Sequence, residues 1–157
     1  MKKFCLLLVL LLGAGLSVNA ESTVNIFVRS LPNADLRLYI DGEEVCDLNG
    51  PTAKVQKVPS CSTDLVTSAP CYRILKINKD GEYTFKVAYE YTIPTDGSKK
   101  YYDMEKTFTI TDGTTYNIHI DFKGIRKKEF TIPKEKDVQK WTKEWDELPT
   151  VTYPKEK

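Results

Sequence analysis

One histidine, His119, stands in 157 residues, and no two cysteines are spaced as Cys-x-x-Cys. Zinc sites of Cys and His take about four ligands at short local spacings, so such a centre is all but excluded. No Gly-x-Ser-x-Gly elbow and no phosphate-cradling glycine loop occurs. Past residue 20 no apolar run approaches the roughly 20 residues a membrane span requires. No charge sign is in excess either, with 23 basic and 22 acidic side chains. That balance favours neither nucleic acid nor an anionic membrane as partner. No cofactor is expected.

The one long apolar run lies at the start. Lys2 and Lys3 precede Phe4 to Leu12, Gly13 and Gly15 soften the run, and Val18-Asn19-Ala20 offers a cleavage site. This is the layout of a secretory signal peptide, 1–20. Cys5 precedes most of the run, which argues against a lipoprotein signal. Cleavage would leave 137 residues with 21 basic and 22 acidic side chains, because the signal holds two lysines and no acids. One domain is natural at that length. Export would place Cys46, Cys61 and Cys71 where disulfides persist. Three is odd, so one bridge at most forms internally. Cys61 and Cys71 flank one Ser/Thr/Pro-rich loop, and a Cys61–Cys71 bridge is expected, with Cys46 a buried thiol.

Residues 22 to 122 read as strand after strand. Val24, Ile26 and Val28 alternate, as do Leu36, Leu38 and Ile40. Asp41-Gly42 marks a hairpin turn, and Glu43 to Leu48 returns from it. Asn49-Gly50-Pro51 leads to a strand over 52–58, and 60–70 reads as a loop. Tyr72 to Asn78 lacks clean alternation, as expected of a strand covered on both faces. From Glu82 to Ile93 the residues Tyr83, Phe85, Val87, Tyr89, Tyr91 and Ile93 share one face, a period of two that excludes a helix. Strands over 101–110 and 115–122 follow, then a candidate edge strand over 129–132. The fold class is all-β, an antiparallel β-sandwich of about seven to eight strands over 21–132, with a C-terminal helix and tail over 133–157. In Glu135 to Leu148 the residues Val138, Trp141, Trp145 and Leu148 draw one apolar stripe at helical spacing. Pro149 should end that helix, and the last nine residues read as a frayed tail.

The segments VNIFVRSLPNADLRLYIDGEEV, KVQKVP, INKDGEYTFKV and KTFTITDGTTYNIHIDF together resemble the PEGA-type domains of bacterial envelope proteins. Leu31-Pro32-Asn33-Ala34 stands at the place of the family's Pro-Glu-Gly-Ala signature and lacks its Glu-Gly pair. The resemblance implies a small sandwich used as a binding or spacer module, with no catalytic residue to carry over.

Few groups suggest chemistry. His119 lies between Ile118 and Ile120 and is read as a solvated surface residue. Asp103 and Glu105 share a strand face about 6.5 Å apart, near the spacing of glycosidase carboxylates, but a charged outer face is ordinary. Asp41, Asp80, Asp96 and Asp112 belong to turns without the ligand pattern of a calcium loop. Tyr89, Tyr91, Tyr101 and Tyr102 bracket the 94–100 loop and are candidate partner-binding residues, as are Trp141 and Trp145. The indole stripe is expected to pack on the chain's own sandwich; otherwise it waits for a partner. The expected role is a non-catalytic exported binding or structural module of the cell envelope, periplasmic or at the surface, whose partner is an envelope protein or glycan. The alternative is a secreted ligand-binding or inhibitor protein using loops 60–71 and 94–100.

Overall fold

The computed structural model describes residues 20–29, 31–124 and 126–154. The expected signal peptide, apart from Ala20, lies outside them. The described residues are mostly strand, with one short helix near the C-terminal end. In order these are β1 (Ser22–Val28), β2 (Ala34–Ile40), β3 (Glu43–Asp47), β4 (Thr52–Gln56), β5 (Leu65–Ser68), β6 (Cys71–Ile77), β7 (Gly81–Thr92), β8 (Lys99–Ile110), β9 (Thr115–Phe122), β10 (Lys128–Thr131), α1 (Glu135–Glu144) and β11 (Asp146–Tyr153). Three sheets result: β10-β9-β1-β6-β11, β3-β2-β7-β8, and the pair β4-β5.

The alternations work out as expected. Val24, Ile26 and Val28 are buried, as are Leu36, Leu38, Ile40, Phe85, Val87 and Tyr89, and all belong to one cluster drawn from both larger sheets. Burying each such side chain contributes about 1.5–3 kcal/mol. Aromatic rings join the two sheets directly: Tyr89 meets Phe122 at 5.4 Å and Phe108 meets Phe130 at 5.7 Å, both edge-on. Between β2 and β3 the turn takes positive φ at both Asp41 (49°) and Gly42 (83°), the twist a two-residue hairpin favours. The Asp41 carboxylate accepts a hydrogen bond from Thr84 N at 2.9 Å.

Four expectations need correction. The expected ladder was antiparallel throughout, yet β1 runs parallel to β9 and β6 parallel to β11. Alternation records which face is buried, not which strand lies alongside or in which direction. Next, 60–70 is not simply a loop, because Leu65 to Ser68 pairs antiparallel with β4. The chain crosses from β3 to β4 at Gly50, where an added Cβ would lie 2.1 Å from the Ala69 carbonyl oxygen. Only glycine passes so close.

The Cys61–Cys71 bridge is absent too, and none of Cys46, Cys61 and Cys71 takes part in a disulfide. The β4-β5 hairpin keeps them apart. Cys61 sits in the turn at its tip, beside Val58, and β5 must run back along β4 before the chain reaches Cys71. Cys71 is buried at the start of β6, with Sγ 3.7 Å from the Leu48 carbonyl oxygen. Cys46 is only half-buried on β3.

Finally, the helix stops at Glu144, and the supposed tail is β11. Trp145 turns to extended backbone (ψ 152°) while its N–H still bonds the Trp141 carbonyl at 2.8 Å. Asp146 then donates to the Pro70 carbonyl, and the chain joins β6 as a parallel edge strand. Ladder bonds along an open sheet edge outweigh another turn of isolated helix. Pro149 falls at a bulge between Leu148 and Val151, where an edge strand tolerates a missing N–H.

Candidate functional site

The two larger sheets differ in what covers their outer faces. On β10-β9-β1-β6-β11 a single row crosses all five strands: Thr131, His119, Phe27, Tyr72 and Glu147 stand abreast. Helix α1 lies over this row. Trp145 is 8% exposed and packs with Phe27 and Tyr72; Val138, Trp141 and Ile74 complete the cluster. The indoles stack on each other at 4.6 Å, and Trp141 lies 5.6 Å from the Phe27 ring. The stripe therefore does pack on the chain's own sheet, with one exception: Leu148 reaches the main core from β11.

His119 is not a solvated residue. It is half-buried, 4.8 Å from the Trp141 ring, with Nδ1 3.4 Å from Thr131 Oγ1. Burial pushes its pKa below the usual 6.5, the charge of Arg29 adds to this, and Asp121 and Asp137 oppose it. Alternation put His119 correctly on the outer face but could not show that a helix would return over it.

By contrast α1 lies over the other sheet, and the outer face of β3-β2-β7-β8 carries a hollow. Its floor follows from the register. Arg37, Ala88 and Asp103 stand abreast, with Asp35, Glu90 and Tyr101 as the next outward row and Tyr39, Lys86 and Glu105 on the other side. Ala88 is the one small residue among these nine, so the middle of the face is sunken. The resulting groove, about 520 Å³, is lined by Asp35, Arg37, Tyr39, Ala88, Glu90, Tyr101 and Asp103, among others. Tyr101 is 71% exposed at its rim.

Charge in the groove is arranged in pairs. Arg37 reaches Asp35 and Glu44 at 3.4 Å each, and its pKa is raised chiefly by the hydrogen bond to Asp35. Lys99 meets Glu90 at 2.6 Å. Lys86 sits 4.8 Å above the Tyr39 ring. Asp103 has no ion-pair partner among the described residues.

A second hollow of about 370 Å³ shares Asp35 and Glu90 with the first and runs on to Thr63, Asp64, Val66 and Ser68. Its wall is the β5 side of the short hairpin, held there by Asn33. That residue, at φ 56°, accepts from Val66 N at 2.6 Å and donates to the Asp64 carbonyl at 3.0 Å. Thr63 N also bonds the Pro94 carbonyl, so the 60–71 and 94–100 segments touch.

Three of the four tyrosines proposed as a group, Tyr89, Tyr101 and Tyr102, line the groove together with Lys128. Tyr101 stands exposed at the rim, while Tyr89 and Tyr102 stack at 5.2 Å, with Lys128 Nζ 5.1 Å and 5.5 Å from their rings. Tyr91 packs against the core cluster. The turn aspartates serve their turns; Asp96, for one, accepts from Ser98 N at 2.8 Å. No group of three or more His, Cys, Asp or Glu side chains placed to hold a metal ion occurs among the described residues. Sequence reasoning passed over Asp35, Arg37, Tyr39 and Ala88. The available signal was Ala88, a short side chain in a file of longer ones.

Neither the family models, nor the curated proteins, nor the solved structures contain a match to this chain.

Proposed function

We propose that the protein is an exported, non-catalytic binding module of the cell envelope, built as a β-sandwich, that takes a glycan chain along the groove over Ala88. The single observation that carries this is the sunken, uncovered face itself. It offers a long trough with tyrosine rings at Tyr39 and Tyr101 beside carboxylates and a guanidinium. Sugar rings lay their C–H faces on such aromatics. Their hydroxyls both donate to carboxylates, here Asp35, Glu90 and Asp103, and accept from Arg37. Mixed charge at close range suits a neutral, hydroxyl-rich ligand better than a strongly charged one. The likeness to PEGA-type domains supports the same class of role, and the apolar run before Glu21 supports export.

The second reading, a secreted binder or inhibitor using loops 60–71 and 94–100, gains from the hydrogen bond between Thr63 and Pro94. On that reading the hollow beside β5 is the recognition surface and the ligand is a protein loop.

Amide-resolved NMR titration with chitohexaose and cellohexaose tests the first reading. Shifts should cluster on residues 35–39, 86–90 and 101–105, and Ala88→Arg should abolish them by filling the floor. Shifts confined to 60–71 and 94–100, or none with either sugar, would overturn it. A pull-down from envelope extract in which retained proteins survive Ala88→Arg would favour the second.

A further inference from the structure

A third cavity, of about 290 Å³, opens where α1 meets the end of β1. It is independent of the groove and lies against the opposite sheet. We propose that it binds a small planar aromatic carboxylate. One ring and one carboxyl group fit a volume near the lower end of small-molecule pockets, roughly 300 Å³.

The walls match the two halves of such a molecule. The apolar half is provided by Trp141 and Trp145, stacked at 4.6 Å with planes 15° apart, and by the His119 ring 4.8 Å from Trp141. The charged half is met by Arg29. Its guanidinium carbon lies 5.5 Å from the Trp145 ring centre, so a ligand ring inside the cavity would have its carboxyl group beside the fork. Arg29 is exposed and has no ion-pair partner among the described residues. A guanidinium offers two parallel N–H groups to a carboxylate, a geometry an ammonium group cannot copy. One acid, Asp121, also lines the cavity; Lys123 stands 4.0 Å from its carboxylate but pairs more closely with Glu129. A cation–π contact alone would use Arg29 without any ligand, and the two accounts part on one measurement.

The chain carries only two tryptophans, and both line this cavity. Emission excited at 295 nm therefore reports on it alone. Titration with benzoate should give a saturable change, and benzamide, the same shape without the charge, should bind at least tenfold more weakly. Arg29→Gln should bring benzoate down to the benzamide level, with Arg29→Lys between the two and Asp121→Asn tighter than wild type. Because Arg29 is exposed and its contact with the fold is the one over Trp145, Arg29→Gln should lower the urea midpoint only slightly. Equal binding of benzoate and benzamide, benzoate binding untouched by Arg29→Gln, or no saturable change at all would each overturn the proposal.

Discussion

Arg73 grips Asp47 twice: its Nε donates to the Asp47 carbonyl at 3.0 Å and its Nη2 to the Asp47 carboxylate at 3.2 Å. A third bond runs from Nη1 to the Pro149 carbonyl at 2.5 Å. Arg73 lies on the core side of β6, opposite Ile26, and is 7% exposed. One guanidinium thus laces β6, the end of β3 and the bulge of β11.

Arg73→Ala should cost about 3–5 kcal/mol, because it strands carbonyls at Asp47 and Pro149 as well as removing the charge. Asp47→Asn keeps the carbonyl bond and exchanges only a half-exposed carboxylate, so its cost should stay near 1 kcal/mol. Urea unfolding of both variants checks the order. Equal costs would mean that the ion pair, not the carbonyl lacing, carries the joint.

Gly50→Ala should destabilise by on the order of 3 kcal/mol, as overpacking against fixed backbone does. The Cβ has no room beside Ala69, and the adjacent bond from Ala69 N to the Pro51 carbonyl, 2.6 Å, would have to open. Gly42→Ala is the control. It meets nothing within 4 Å and should cost only the roughly 1 kcal/mol of left-handed backbone. Thermal melts of the two variants compare them directly.

A ten-residue helix is marginal in water, so α1 persists by docking. Trp145→Ala should cost about 3–4 kcal/mol and Trp141→Ala less, since Trp141 is half-exposed. In Trp141→Ala the His119 ring loses cover, and its NMR titration should move up toward 6.5. An unmoved titration would mean that the strand and not the indole desolvates His119.

Because the folded state lowers the pKa of His119, folded chains take up its proton less readily than unfolded ones. Its share of stability is complete above the unfolded value near 6.5 and falls away as pH drops through that value toward the lowered folded one. Between pH 7 and 5 the wild type should therefore lose more stability than His119→Gln. Urea midpoints at both pH values measure the difference, and parallel losses would remove His119 from the account.

Burial holds the Cys71 thiol up at about 11, and thiolate is the reactive form. At pH 8 a thiol reagent such as Ellman's should label Cys61 and spare Cys71 until urea unfolds the chain. Peptide mapping after brief labelling reads both sites.

What could be read in advance divides along physical lines. The period-two runs of β1, β2, β7 and β9 reported their buried faces faithfully, because burial of one face leaves a mark at every second residue. The turn at Asp41-Gly42 was legible because its backbone demands a particular residue pair. Pairing partners were not, since Val28 carries no trace of Cys71 and Ile120 on either side. β5 escaped notice because LVTS is short and sits among Ser, Thr and Pro. β11 escaped because Pro149 reads as a stop, when at a bulge on an edge it is admissible. The groove was least visible of all. Its floor is one alanine, and its depth exists only once Arg37, Ala88 and Asp103 stand abreast.

The place of β1 bears on how the chain reaches this state. It is the middle strand of five, yet both its neighbours come much later, Cys71 to Ile77 and Thr115 to Phe122. The earliest strand must stay unpaired while loops of tens of residues close around it. By contrast β7 and β8 share a tight local connection, from Thr92 to Lys99, and twelve paired positions. That ribbon is the natural nucleus, with β2 added to its side and β1 inserted last. Folding dominated by such distant partners runs on the order of milliseconds to seconds. Substitutions along β7 and β8 should slow folding, whereas those along β1 should chiefly speed unfolding.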